Sequence, residues 1–229
     1  MFDDAKLIDL THTIDSSIPT WTGSCGFKYE VKRDYKDGLR VLKYEMHGAC
    51  GTHMDAPSHF VRDGKNIADI PLEQLFSPCV LIDVTKKRNE GLFISPEDIK
   101  EYEKDYGKIP KNALVIGFTG WQEFWNDPLK YRNPKDGGGL AFPGFSKEAA
   151  ELLLERDISG IGIDTLSPDG SNQETFPVHH TILGDGKFIL ENMVNLHKLP
   201  PRGASVITLP IKVGPGTEAA VRSVGVVHT

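Results

Sequence analysis

Gly51-Thr52-His53-Met54-Asp55-Ala56-Pro57-Ser58-His59, with His47 just upstream, sets three metal-ligand residues two and four positions apart. In extended backbone successive side chains alternate faces, so His53, Asp55, Pro57 and His59 share one face and Thr52, Met54, Ala56 and Ser58 the other. Two imidazoles flanking a carboxylate suit a divalent cation that takes mixed nitrogen and oxygen donors, zinc or manganese. Gly51 permits close backbone approach and Pro57 has no N–H for a ladder, so the segment is expected to start as a strand and leave its sheet near Pro57. A site built on it would lie at the end or mouth of a sheet. The bland alternative is a set of surface histidines around a turn, against which three same-face ligands so close together weigh heavily.

Upstream, Leu7-Ile8-Asp9-Leu10-Thr11-His12 reads as a first strand with His12 structural, and Ile18-Pro19-Thr20-Trp21-Thr22-Gly23 as a rigid turn whose Trp21 belongs to the core or to a pocket wall. Residues 28–32 and 40–47 alternate as antiparallel strands joined through Asp37-Gly38, the second feeding the ligand stretch. Downstream, residues 71–76 read as a short helix and 80–84 as a buried strand. Ser95-Pro96-Glu97-Asp98 starts a helix that Gly107 closes: a serine cap, proline at the first position, then acids against the dipole. Residues 113–119 form another strand, ending in Thr119-Gly120-Trp121. The Gly- and Pro-rich stretch 127–144 reads as a flap over the site. Ser146 caps a helix through Glu155, and strands follow at 160–165, 189–191, 206–213 and 220–227.

About nine strands and three or four helices in mixed order predict one α/β (α+β) domain over residues 1–229, a mixed barrel-like sheet with helices packed outside. A Rossmann fold is excluded, since no glycine-rich phosphate fingerprint follows a first strand. The charge of 26 − 32 = −6, without a dense basic run, argues against nucleic acid. No apolar run is long enough for a bilayer, and the start Met1-Phe2-Asp3-Asp4 lacks a signal peptide's features, so no membrane association and a cytoplasmic location are expected. Cys25, Cys50 and Cys79 are too few and too scattered for a disulfide framework and read as reduced thiols, with Cys50 structural.

A second constellation is His179-His180 and Glu191, separated by the turn Gly184-Asp185-Gly186 and lying before and on a strand. A glutamate inside Phe188-Ile189-Leu190-Glu191-Asn192-Met193 is costly to bury unless a cation or an ion pair compensates it. Asp164 is expected to hold a turn or to orient a ligand histidine.

With both constellations in view, the chain resembles the cyclase family that includes bacterial-type kynurenine formamidase (arylformamidase) and isatin hydrolase. The family pattern His-x-Gly-Thr-His-x-Asp-x-Pro-x-His appears as Ala49-Cys50-Gly51-Thr52-His53-Met54-Asp55-Ala56-Pro57-Ser58-His59. Further matches are Ile8-Asp9-Leu10-Thr11, Ile18-Pro19, Thr119-Gly120-Trp121, Gly162-Ile163-Asp164-Thr165 and Leu209-Pro210-Ile211-Lys212. The resemblance implies a swivelling barrel-like β/α fold and a homodimer or homotetramer. It implies His53, Asp55, His179 and Glu191 as metal ligands, Asp55 able to bridge two ions, and His59 as the catalytic acid/base.

One departure stands out. Ala49 replaces the family's first ligand histidine, and a methyl group coordinates nothing. His47 on a bulged strand, the Cys50 thiolate, or a single looser cation on the remaining four ligands are the open alternatives. The implied activity is metal-dependent amide hydrolysis of the arylformamidase type, N-formylkynurenine to kynurenine and formate in tryptophan catabolism, with Trp21, Trp121 and Phe142 stacking on an aromatic amide substrate. Isatin or lactone ring opening, and a degenerate binding protein without turnover, are the alternatives.

Overall fold

The computed structural model describes residues 4–89 and 91–228, so the start Met1-Phe2-Asp3 lies outside them. In chain order the elements are β1 (Ala5–Asp9), β2 (Phe27–Arg33), β3 (Val41–Met46), β4 (His53–Asp55), β5 (Phe76–Asp83), β6 (Phe93–Ile94), α1 (Pro96–Tyr106), β7 (Leu114–Phe118), α2 (Pro128–Arg132), β8 (Gly144–Phe145), α3 (Lys147–Leu154), β9 (Gly160–Ile163), α4 (Pro177–Gly184), β10 (Phe188–Glu191), β11 (Arg202–Pro210) and β12 (Glu218–His228). Seven strands close a ring in the order β12-β11-β5-β7-β9-β10-β4, with β4 pairing back onto β12. Strand β1 occupies the rest of that β12 edge. Strands β5, β7, β9 and β10 run parallel, while β4, β11 and β12 are antiparallel to their neighbours. The mixed barrel-like sheet is thus the one expected.

Period-two alternation divides the strand residues between two cores. Leu81, Leu114, Ile116 and Leu190 fill the ring's interior with Met54 and Val206. Their neighbours Val80, Ile82, Val115, Ile161, Ile163 and Ile189 face outward, packing on Ile99 of α1, Leu153 of α3 and Ile182 of α4. Helix α1 is capped as its sequence implies, Ser95 Oγ accepting from Asp98 N.

Several local expectations change. Residues 71–76 make only a 3-10 turn at Leu72–Leu75, and β5 begins at Phe76. Strands β2 and β3 pair only with each other, outside the ring, so β3 leads toward β4 without sharing its sheet. The two histidines 179 and 180 precede β10, as expected, but from a helix, α4. That helix is short, starts at Pro177 and carries two histidines and a threonine, so its helical pattern is weak.

Candidate metal centre

Strand β4 has three residues, and Met54 takes the interior. His53 and Asp55 therefore face outward, beneath α4, and the site lies on the outer face of the sheet where Glu191 ends β10. Alternation decides this: the hydrophobic residue claims the core side. In the ladder His53 is opposite Glu191 of β10, and Asp55 is opposite Glu218 of β12. Helix α4 adds His179 from above.

Four side chains converge. His53 Nε2 is 3.5 Å from Asp55 Oδ1 and 3.3 Å from Glu191 Oε2, and His179 Nε2 is 3.4 Å from Asp55 Oδ2 and 3.3 Å from Glu191 Oε1. Donors about 2.1 Å from a shared tetrahedral cation stand about 3.4 Å apart. All four spacings match that edge and exceed an ordinary N–H···O hydrogen bond. Both Asp55 oxygens are buried without a hydrogen-bond partner. An orphaned buried carboxylate is costly, and a cation resolves the cost.

The tautomers agree. His53 Nδ1 donates to the Gly51 carbonyl at 3.0 Å, and His179 Nδ1 donates to Asp169 Oδ2. Each Nε2 therefore turns a lone pair toward the centre, as a metal-bound histidine requires. Burial opposes protonation of His53, but the facing carboxylates of Glu191 and Asp55 outweigh it and raise its pKa to about 9. His179 is likewise raised, the carboxylates of Asp169, Asp55 and Glu191 overcoming desolvation. Protons are the cage's other cationic occupants. The donor set fits a zinc or manganese ion.

The surrounding motif residues hold these ligands in place. Gly51 has φ 69°, and a Cβ there would come within 2.9 Å of Ile14; its carbonyl also accepts Asn192 Nδ2. Thr52 Oγ1 donates to the Asn192 carbonyl and accepts His12 N. Asp169, which sequence reading missed, accepts Val178 N at 2.7 Å and His179 N at 3.3 Å besides the imidazole. It caps α4 from a distance and fixes His179 together. Asp164 takes the other role anticipated for it, holding the turn through Thr119 N, Thr119 Oγ1 and Gln122 N.

A cavity of about 360 Å³ opens onto the centre. After β4 the chain turns through a 3-10 segment at Pro57–His59, so His59 returns to the cavity by a turn and not by extension. It is partly exposed, 3.8 Å from Glu218 Oε1. Glu218, also missed, groups with Asp55 and His59, their ligand atoms all within 4.8 Å of one another. Burial and the Asp55 charge raise its pKa. Only its register opposite Asp55 reveals it.

Trp21 lines the cavity, joined by Phe60 and Phe176. Phe60 stacks on His179 at 4.6 Å, and Phe176 leans on Phe60 at 5.5 Å and on Trp21 at 6.0 Å. Phe176 has φ 44° and ψ 53°, a left-handed conformation unusual for an aromatic residue.

Other expected site residues stand elsewhere. Trp121 is buried away from the cavity with Nε1 donating to the Tyr131 carbonyl, and Phe142 is fully buried behind Trp21. Both pack in the cluster around Tyr131, where a large ring is best buried. His47 is exposed and joins neither ligand group. Cys50 turns into the same aromatic cluster, its Sγ 3.6 Å from the Gly26 carbonyl, and burial pushes its thiol up to about 11. Neither replaces the missing histidine; Ala49 itself lines the cavity. His180 is exposed against Phe60. His12 stacks on Trp125, half-buried, and desolvation lowers its pKa to about 4. Residues 127–144 contribute no cavity lining; Arg132 of that segment donates to the Trp21 carbonyl at 2.9 Å, buttressing the aromatic wall from behind. The three cysteines are unpaired, and no helix among the described residues is long and apolar enough to cross a membrane.

A sequence model of the family described as "Putative cyclase" matches residues 8–170. The chain is 30% identical over 188 residues to isatin hydrolase of Roseibium aggregatum, covering 77% of this chain and 71% of that one. It is 28% identical over 226 residues to kynurenine formamidase of Bacillus anthracis, covering 96% and 97%. Among solved structures, isatin hydrolase A from Labrenzia aggregata superposes with TM-score 0.90 at 30% identity over 99% of this chain and 95% of the other.

Proposed function

The chain belongs to the cyclase family, and from that premise we propose that it is a metal-dependent hydrolase of aromatic amides or cyclic amides. The observation that carries this reading is the cage of four spacings between 3.3 and 3.5 Å around an Asp55 carboxylate that nothing else satisfies. His53, Asp55, His179 and Glu191 would hold one zinc or manganese ion, which when bound would supply a Lewis acid for the carbonyl and acidify water near neutral pH.

The chain's own groups do the rest. His59, at the open side of the cage, takes a proton from the attacking water and returns it to the departing nitrogen, a step typically contributing about 10² to 10⁴ in rate. Its partial exposure lets it exchange protons with solvent between turnovers. Trp21, Phe60 and Phe176 grip the flat face of an aromatic substrate and exclude water from one side. Asp169 keeps His179 in its ligating tautomer.

Within this class, hydrolysis of an N-formyl aryl amine such as N-formylkynurenine is one substrate reading, and the full-length match to kynurenine formamidase supports it. Opening of an isatin-like ring is the second, favoured by the TM-score of 0.90 to isatin hydrolase A. Both break an amide C–N bond beside an aromatic ring. The test is a panel of formanilides, N-formylkynurenine, isatin and aryl lactones assayed with zinc, manganese and chelator, alongside His59→Ala. Turnover abolished by chelation, with His59→Ala losing far more kcat than substrate affinity, is expected. Turnover indifferent to chelation refutes the reading, and bound metal with a flat response across the panel favours a ligand-binding role.

The same reading includes a homo-oligomer in the cytoplasm. Its support is the β2–β3 hairpin, whose Tyr29, Val31, Tyr44 and Met46 are exposed, and the unpaired thiols.

A further inference from the structure

We infer that Arg132 marks a subsite beyond the aromatic wall, which takes the carboxylate of an amino-acid arm carried on the ring of an aryl formamide. The inference rests on the function proposed above and narrows the substrate class of its site. A second hollow, of about 900 Å³, shares Trp21 and Phe176 as lining with the cavity at the metal centre. A ring gripped by those two aromatics therefore has the second hollow within reach of its substituents. Arg132 is the last residue of α2, which Asn133 closes in the left-handed conformation at φ 44°. The chain then turns tightly, Lys135 N donating to the Gly139 carbonyl and Gly138 N to the Lys135 carbonyl, both at 3.1 Å. Gln173 clamps this turn to the loop before α4: its Oε1 accepts Leu140 N at 3.0 Å, and its Nε2 donates to the Leu140 carbonyl at 3.1 Å and the Gly170 carbonyl at 2.6 Å. The hollow thus has a hydrogen-bonded floor, and the amide of Gln173 is committed to backbone.

Arg132 is fixed differently. Its Nε and Nη2 both donate to the Trp21 carbonyl, at 3.3 and 2.9 Å, and its Nη1 lies over Gly23, where a Cβ would stand 2.7 Å from it. Arg88, Arg156 and Arg222 each meet a carboxylate, of Glu123, Glu103 and Asp9, whereas Arg132 meets none among the described residues. A guanidinium held by backbone, with N–H groups to spare and no anion beside it, suits a carboxylate that its planar fork can take in paired hydrogen bonds. Lys135 adds a second positive charge to the lining. Glu174, the one acid among the described residues there, suits the ammonium group of an amino-acid arm. The metal end of the first cavity carries Asp55, Glu191 and Glu218. A substrate with an anionic arm is therefore repelled at that end and drawn to the other, which points its formamide at the cage. Isatin has no such arm, so the subsite favours N-formylkynurenine between the two readings above.

The test compares N-formylkynurenine with ortho-formamidoacetophenone, which keeps the ring and the formamide and lacks the arm. Both are assayed on the metal-loaded full chain beside Arg132→Gln and Arg132→Lys. The quantity read is the ratio of kcat/KM for the two substrates, because any loosening of the Trp21 wall acts on both and drops out. Arg132→Gln keeps a donor for the Trp21 carbonyl and loses the charge, so the ratio should fall about tenfold or more, mainly through KM, the scale of a hydrogen bond to a charged group. Arg132→Lys should restore part of it. In the wild type the ratio should shrink as NaCl rises toward about 1 M, where the screening length is about 3 Å. A ratio unmoved by Arg132→Gln, or indifferent to salt in the wild type, overturns the subsite and leaves the hydrolase reading standing. No turnover of either formamide overturns that reading, and calorimetry then decides the subsite. Kynurenine must bind the wild type at least about tenfold more tightly than ortho-aminoacetophenone and lose that margin in Arg132→Gln. A wild type without the margin overturns the subsite as well.

Discussion

Replacing Asp169 by asparagine tests the metal centre through a residue that does not itself reach the cation. The carboxylate receives three donors: Val178 N on Oδ1, and His179 N with His179 Nδ1 on Oδ2. An amide has one acceptor oxygen. If that oxygen takes the Oδ2 place, the NH₂ group meets the Val178 N–H and leaves a buried donor unsatisfied, at about 1–3 kcal/mol. If it takes the Oδ1 place, the NH₂ group meets His179 Nδ1, and the imidazole proton moves to Nε2, where it blocks the ligating lone pair. Either arrangement also removes the carboxylate charge that makes the His179 imidazole a stronger donor, and cation binding should weaken by about 10- to 100-fold, or about 1.4–2.7 kcal/mol. Competition against a chromophoric chelator measures this, with circular dichroism showing that the variant folds. Asp164→Asn is the control: equally buried, it serves the Thr119–Gln122 turn, so it should lower Tm and leave metal affinity unchanged. A folded Asp169→Asn protein with wild-type affinity would refute the reasoning.

In the metal-free protein His53 has a pKa raised from 6.5 to about 9. Its contribution to stability is fully present below about pH 6.5 and is lost as pH rises through about 9, while cation affinity rises across the same window as protons leave. The Tm increment produced by zinc should therefore grow from pH 6.5 to 9; an increment that shrinks with pH contradicts the proton-occupied cage. Trp121→Ala should cost about 3–5 kcal/mol in denaturant unfolding, because that ring is buried core, whereas Phe176→Ala should raise KM for aromatic substrates, and Phe176→Gly should raise it too while relieving about 1–3 kcal/mol of backbone strain. The reverse pattern would exchange their roles. Replacing Tyr29 and Tyr44 by lysine should shift the sedimentation coefficient toward monomer; no shift would place self-association elsewhere.

His53 and Asp55 are legible in sequence because a two-residue period survives in even a three-residue strand. Glu191 is legible because a lone acid in an apolar strand needs a reason. Glu218 and Asp169 are not. Glu218 follows Gly214-Pro215-Gly216-Thr217, which reads as a loop, and gains meaning only when the ladder sets it against Asp55. Asp169 lies in Ser167-Pro168-Asp169-Gly170, a turn by composition, and its partner is on a helix too short to announce itself. The pocket aromatics are misjudged for a different reason. Ring type alone nominates Trp121 and Phe142, yet the fold spends them on packing Tyr131, and Phe60 and Phe176 reach the cavity because they flank a turn and a helix start. Barrel closure is foreseeable in kind, from mixed strands and outer helices, but which strands meet is decided by contacts far apart along the chain.

Strand β4 joins β10 on one side and β12 on the other through only three residues on each edge. So short a seam has few ladder bonds to resist opening. The cage ligands come from β4, β10 and α4, which makes a bound ion a rivet across that seam. Its grip adds RT ln(1 + [L]/Kd) to folding, about 2.7 kcal/mol at a hundredfold excess over Kd. Chelation should therefore loosen the ring first at His53–Asp55, and amide hydrogen exchange there should rise before the parallel strands β5, β7 and β9 respond, so that losing the ion costs the enzyme the shape of its wall along with its Lewis acid.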